Sequence, residues 1–293
     1  MKPILVIGKH GQLAQALSAT QPEHYPVDYL GRQALDICNH VQLRQRITEK
    51  QYGIVINASG YTQVDAAETD SQAAFELNHL AVENLAEHCA RHAIGLIHLS
   101  SDYVFNGVFD GQLPTPYRPS DTPRPISRYG ESKWRGEQSV LKYNEGHACI
   151  VRTAWLYSPF GHNFVKTMLA LMRQGKALSV IDDQWGTPTS AIALSQFIWQ
   201  LTKVSSPSPI YHWSDLGVTT WYEFARQISA TANALGLLNQ AATINPISTA
   251  AYGAAAPRPR YSALDCSQSQ AILQAKSWQE NLYQVLQQVS KEG

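Results

Sequence analysis

The chain has 293 residues, 44% of them hydrophobic and 16% charged, with a formal net charge of +0. That length supports a sizeable core in one or two domains, and the composition excludes a disordered polymer. Balanced charge excludes a diffuse electrostatic grip on nucleic acid or on an anionic membrane, while leaving room for a local basic pocket for a small phosphorylated ligand. Cys38, Cys89, Cys149 and Cys266 are widely spaced and form no CxxC pair, which reads as reduced thiols in a cytoplasmic protein. The first apolar run, Ile4 to Ile7, is stopped by Gly8 and is too short for a signal peptide or a membrane span.

In chain order, short apolar runs predict buried strands over Ile4–Ile7, Val27–Leu30, Gly53–Asn57, Gly95–Ser100 and Ala148–Arg152. Runs without polar alternation suit a parallel sheet covered on both faces. Between them the spacing predicts helices. The longest runs from Ser71 to His92, with Ala74, Leu77, Ala81 and Leu85 on one stripe. Strand–helix alternation predicts an α/β fold, a Rossmann-like doubly wound parallel sheet. From about Tyr157 the texture turns to Pro, Gly, Trp and Tyr. The reading is a dinucleotide-binding domain over 1–157 and a smaller C-terminal substrate-binding lobe over 158–293, with 178–202 returning to the first domain. Ala250 to Pro259 reads as a loop.

The first strand leads into Gly8-Lys9-His10-Gly11-Gln12-Leu13-Ala14 and a helical pattern. Glycines in such a turn let a pyrophosphate approach the backbone, and the helix start offers free N–H groups. The second strand ends in Leu30-Gly31-Arg32, where an acid would otherwise take the ribose hydroxyls. Arginine there suits a 2′-phosphate, so NADPH is expected, with NADH the alternative. Asp36 is a candidate neighbour of the adenine.

Tyr129 and Lys133 stand four apart, one turn on one helix face. A phenol ordinarily titrates near pH 10, and bringing it to neutrality requires about 4 kcal/mol of help from a nearby ammonium. A tyrosine so tuned protonates a carbonyl oxygen as hydride reaches the carbon. Ser101, at the end of the fourth strand, is placed to join them. Trp155 follows the fifth strand and is the tryptophan expected to face a ligand, whereas Trp185, Trp213 and Trp221 read as packing. Arg118, Arg124 and Arg128 form either a basic lip for a diphosphate or a solvated loop. His88 and His92 lie one helical turn apart with no third ligand in view, and no metal site is expected.

These motifs resemble the extended short-chain dehydrogenase/reductases. The finer pattern resembles the dTDP-4-dehydrorhamnose reductase branch along nearly the whole chain, through Gly8 to Leu13, Leu35-Asp36-Ile37, Asn57 to Glu68, Ser101 to Phe105, Arg152 to Tyr157, Asn163-Phe164, Asp183 to Thr189 and Arg258 to Leu264. The resemblance implies a catalytic triad of Ser101, Tyr129 and Lys133. It implies a cofactor site of Gly8, Gly11, Gln12, Leu13, Arg32, Asp36, Ile37, Ala58 and Ser59, together with Tyr129 and Lys133. Val64, Ser101, Asp102, Tyr103, Trp155, Asn163 and Arg258 would face a sugar nucleotide, whose C4 ketone is reduced. Two alternatives share the fold: a sugar-nucleotide epimerase or dehydratase, and a non-catalytic subunit like that of methionine adenosyltransferase.

Three departures stand out. Ser101 replaces the usual Thr. Ser59-Gly60 replaces two alanines, which is expected to loosen the cofactor wall. Ala16 and Ile192 stand where some relatives place magnesium-binding glutamates, so a monomer or weak homodimer without a metal bridge is expected.

Overall fold

The structure is a computed structural model that describes residues 2–109, 112, 114–144 and 146–292. Strand β1 (Ile4–Ile7) enters helix α1 (Gln12–Ala19), followed by β2 (Val27–Leu30), α2 (His40–Glu49) and β3 (Ile54–Asn57). Next come α3 (Ser71–Phe75), α4 (Ala81–Arg91), β4 (Gly95–Ser101), α5 (Arg128–Lys142) and β5 (Ala148–Thr153). The second half contains β6 (Leu156–Tyr157), α6 (Phe164–Met172), β7 (Leu178–Ile181), β8 (Trp185–Gly186), β9 (Thr189–Ser190), α7 (Ala191–Leu201) and β10 (Ile210–Trp213). It closes with β11 (Thr219–Thr220), α8 (Trp221–Ala234), β12 (Ile244–Ile247), α9 (Thr249–Tyr252), α10 (Ser267–Gln270) and α11 (Trp278–Glu292).

Six parallel strands form the central sheet in the order β10-β5-β4-β3-β1-β2. Pleating sends alternate residues of each strand to opposite faces. Ile4 and Val6 pack with α1 and α7, while Leu5 and Ile7 pack with Leu43 of α2, Leu85 of α4 and Val140 of α5. Both faces are therefore buried, which is why these strands are apolar throughout. Only β2, at the sheet edge, is half-buried along its length.

Residues 178–202 divide. β7 pairs with β12 beside α8, away from the central sheet. Helix α7 instead packs on α1, and β10 then joins the sheet beside β5. A separate core made from α6, α8 and α11, including Leu169, Phe224 and Leu282, forms the smaller lobe. Residues 250–259 are not wholly loop, because α9 supplies one turn capped by Ser248.

The helix expected over Ser71–His92 is interrupted. Between α3 and α4, Glu76–Leu80 forms a π turn. The turn goes with the burial of Asn78, whose side-chain oxygen accepts from Tyr61 N at 2.9 Å. Its amide donates to Tyr61 O and Ser132 Oγ, both at 3.0 Å. Single-turn widenings of this kind recur at functional sites, and this one packs against α5. Among the described residues, no helix is long and apolar enough to cross a membrane.

Candidate active site

Strands β1 and β3 are neighbours, yet α1 leaves to one face of the sheet and α4 packs on the other. The crevice at the carboxyl ends of such a pair is the usual ligand site of an open α/β sheet. Here it opens into a cleft of about 580 Å³. Gly8 has φ +99°, and a Cβ there would lie 2.9 Å from Ala58 O and Ser59 N, so only glycine fits. Gly11 precedes α1 as an N-cap with no side chain to cap the first N–H groups, and Gly11, Gln12 and Leu13 line the cleft. These residues fit a dinucleotide pyrophosphate.

Ser59 does not loosen this wall. Its hydroxyl donates to Asn57 Oδ1 at 2.6 Å and its N–H donates to the same oxygen at 3.1 Å. The Asn57 amide meets His98 Nδ1 at 3.2 Å, so the turn is pinned into the core. Burial, with Lys133 nearby, holds His98 well below the usual imidazole range, and the ring is neutral.

Helix α5 carries Tyr129 and Lys133, both buried. It can approach because Gly130 and Gly136 face backbone carbonyls: a Cβ at either would lie 2.2 Å from Tyr103 O or Asn78 O. Lys133 Nζ donates to Leu99 O at 2.6 Å. Burial pushes Lys133 down to about 8, with Glu137 one turn later acting in the opposite sense.

Tyr129 departs from the sequence expectation. Burial pushes its phenol up to about 12, against an opposing hydrogen bond with Ser101, and the charge of Asp102 pushes it further. Lys133 is bound to the β4 backbone and does not bring the phenol to neutrality. In this state Tyr129 is a proton-loaded acid. Ser101 donates to Asp102 Oδ1 at 2.9 Å and accepts from Tyr103 N at 3.2 Å. Burial pushes Asp102 up to about 6, opposed by hydrogen bonds from Ser262 and Ser101.

The opposite wall is aromatic. Trp155 lies beyond β5 with φ +45°, a conformation that costs a non-glycine residue energy and is typically found where function demands it. Its ring stacks on Trp221, with centroids 3.6 Å apart and planes at 12°, and both line the cleft. Trp221 packs on Phe164 and the core of the smaller lobe, as expected, and lines the cleft as well, whereas Trp213 is buried against Phe197.

Of the predicted residues, Gly11, Gln12, Leu13, Ala58, Ser59, Val64, Ser101, Asp102, Tyr103, Tyr129, Lys133 and Trp155 line this one cleft. Others lie off its wall. Ile37 is 3% exposed and belongs to the core. Asn163 caps α6 and donates to Gln12 Oε1 at 3.0 Å and Ser158 O at 2.9 Å, so it braces the cofactor loop. Arg258 is bound to Asp65 at 2.7 and 3.0 Å. Arg32 and Asp36 lie beyond β2, 3.4 Å apart, with the arginine side chain 87% exposed. Arg118, Arg124 and Arg128 do not line the cleft, and Arg128 pairs with Glu131 at 2.8 Å. Sequence reasoning missed Gly60, Tyr61, Phe164 and His162 on the wall, and Asn78 behind it. The buried-face position of Asn78 in an otherwise apolar stripe was the available signal. Among the described residues no three His, Cys, Asp or Glu side chains gather to hold a metal ion.

The family described as "RmlD substrate binding domain" matches residues 1–291. The chain belongs to the dTDP-4-dehydrorhamnose reductase family. It is 35% identical to the dTDP-4-dehydrorhamnose reductase of Sinorhizobium fredii, covering 99% of this chain and 98% of that protein. It is 34% identical to the enzyme of that name from Aggregatibacter actinomycetemcomitans, covering 96% and 97%. A solved Bacillus anthracis dTDP-4-dehydrorhamnose reductase, in complex with NADP, superposes with a TM-score of 0.91 at 35% identity, covering 98% and 99%.

Proposed function

We propose that this chain reduces the C4 ketone of a dTDP-linked 4-dehydro-6-deoxyhexose with NADPH, converting dTDP-4-dehydrorhamnose to dTDP-rhamnose. The observation that carries the reading is the convergence of Ser101, Tyr129 and Lys133 on the same cleft as the Gly8–Gly11 phosphate loop. NADPH, when bound, supplies hydride to the carbonyl carbon. Tyr129 gives its phenolic proton to the carbonyl oxygen, completing the alcohol. With its pKa pushed up to about 12 by burial, the phenol carries its proton at neutral pH, and the alkoxide that forms as hydride arrives is the stronger base that takes it. Lys133 carries the positive charge that stabilises the phenolate left behind, and solvent returns the proton. Ser101 hydrogen-bonds the same substrate oxygen.

Gln12, Ala58 and Ser59 flank the cofactor, and Arg32 with Asp36 lies toward its adenosine end. Val64, Asp102, Tyr103 and Trp155 enclose the sugar. Arg258, now held by Asp65, reaches a diphosphate by exchanging one anion for another. Asn163 and Ile37 support the site through Gln12 and the core respectively. The free cysteines suit a cytoplasmic enzyme. Neither Ala16, which is buried, nor Ile192 has a side-chain oxygen to offer a metal, which favours a monomer or weak dimer without a metal bridge. The test is to mix protein, NADPH and dTDP-4-dehydrorhamnose and follow the absorbance of the reduced nicotinamide. Stoichiometric loss with formation of dTDP-rhamnose is expected, and NADPH binding without turnover of any 4-keto sugar nucleotide would refute the reading.

A further inference from the structure

A short turn after β3, Ala66–Glu68, is tied to three separate parts of the molecule. It follows Tyr61, whose N–H and carbonyl both meet the side chain of Asn78. Asp65, at its start, accepts from Ala256 N at 3.0 Å as well as from Arg258. Ala67 is fully buried and packs with Ala74 against Tyr129, whose ring Tyr103 meets edge-on with centroids 5.5 Å apart. Glu68 then reaches the start of α5, where its Oε1 accepts from Arg128 N at 2.8 Å. Arg128 is the first residue of that helix, and a helix leaves its first N–H groups without partners of its own. Ser127 Oγ accepts from Gly130 N at 3.1 Å, so Ser127 serves the third of these groups and Glu68 the first. The helix dipole favours a carboxylate in that place. The bond is to the backbone, because the Arg128 guanidinium pairs with Glu131 at 2.8 Å and lies over the Phe75 ring at 5.2 Å.

We propose that Glu68 is a positioning residue for the proton donor: by holding the first N–H of α5 it fixes where the Tyr129 hydroxyl meets the substrate oxygen. The inference rests on the reductase reading above. Tyr129 is the residue next to the captured N–H, so one turn sets its backbone through Glu68 and its ring through Ala67. An acid must lie within hydrogen-bond reach of the atom it protonates, and a displacement of about 1 Å can cost as much as about 10²-fold in rate. Loss of the Glu68 acceptor lets the helix start shift. Lys133, one turn further on, stays bound to Leu99 O, and the phosphate loop is untouched. The effect therefore falls on the chemical step and spares binding.

The test compares the wild type with Glu68→Ala, Glu68→Asp and Glu68→Gln. It measures the single-turnover rate of dTDP-4-dehydrorhamnose reduction, the affinity for that substrate and the affinity for NADPH, with thermal melting to show that each variant is folded at the assay temperature. Glu68→Ala should slow reduction about tenfold while both affinities stay within about twofold. Glu68→Gln keeps an oxygen at the same reach and should restore the wild-type rate. Glu68→Asp keeps the charge but falls one methylene short, and its rate should lie between the two. If Glu68→Ala does not fold, the contrast of Gln with Asp still decides between reach and charge. A wild-type rate in Glu68→Ala, a rate in Glu68→Gln no better than in Glu68→Asp, or a loss carried by either affinity instead of the rate would overturn the proposal. Wild-type protein that binds NADPH yet reduces no 4-keto sugar nucleotide would overturn the reductase reading, and the role of Glu68 with it.

Discussion

The two ends of the cleft treat charge in opposite ways. At the inner end, Tyr129, Lys133 and Asp102 are all buried, and burial is the largest cause of each of their pKa shifts. At the outer end, His10 on the wall and Lys9 and Arg32 off it are exposed. Proton chemistry needs groups whose affinity for a proton is set by a dry environment. Recognition of a phosphate needs only cations that water can leave. One sheet edge supplies both environments, because β4 is interior and β2 is the edge strand.

The inner end depends on a buried frame, and breaking that frame should have the largest effect. Arg152 on β5 and Glu137 on α5 are each 1% exposed and pair at 2.7 and 2.8 Å. Arg152 also meets His212 Nε2 at 3.3 Å and lies over the Phe105 ring at 5.1 Å. Arg152→Met leaves Glu137 as an uncompensated buried charge. It should destabilise the protein by about 3–5 kcal/mol, read by urea denaturation.

Asp102 sharpens the contrast with the opposite sign. Its carboxyl is raised from 3.8 to about 6 by burial, so between those values the folded chain binds more protons than the unfolded one. Its contribution to stability therefore falls as pH rises through that window and stays unfavourable above it. Asp102→Asn should gain about 1–3 kcal/mol at pH 7.5 by removing that cost. The gain should vanish near pH 4, where the carboxyl is already protonated. A constant gain at both pH values would show that the burial of charge is not its origin.

The outer end should respond less and only in affinity. Arg32→Ala should weaken NADPH about tenfold with stability and NADH affinity nearly unchanged, as measured by titration and thermal melting. An equal loss for NADH would move Arg32 from the 2′-phosphate to the shared adenosine.

Much of this plan was legible in the residues. The apolar runs located the strands because a sheet covered on both faces has no polar positions to alternate. Gly8 and Gly11 marked the phosphate loop because a tight turn under a backbone carbonyl admits nothing larger. The Tyr129–Lys133 spacing placed both on one helix face. What spacing could not reveal was the proton state. The lysine reaches the Leu99 carbonyl, and the phenol rises instead of falling. Nor could spacing show the π turn around Asn78, the stack of Trp155 on Trp221, or the capture of Arg258 by Asp65, since each depends on segments far apart in the chain.

The central claim is that Tyr129 is the proton donor, buried and loaded until hydride arrives. Single-turnover reduction of dTDP-4-dehydrorhamnose by Tyr129→Phe, measured beside NADPH affinity, tests it most directly. The account predicts a loss of about 10²–10⁴-fold in the reduction rate with NADPH affinity unchanged. Reduction at a rate near that of the wild type would contradict it.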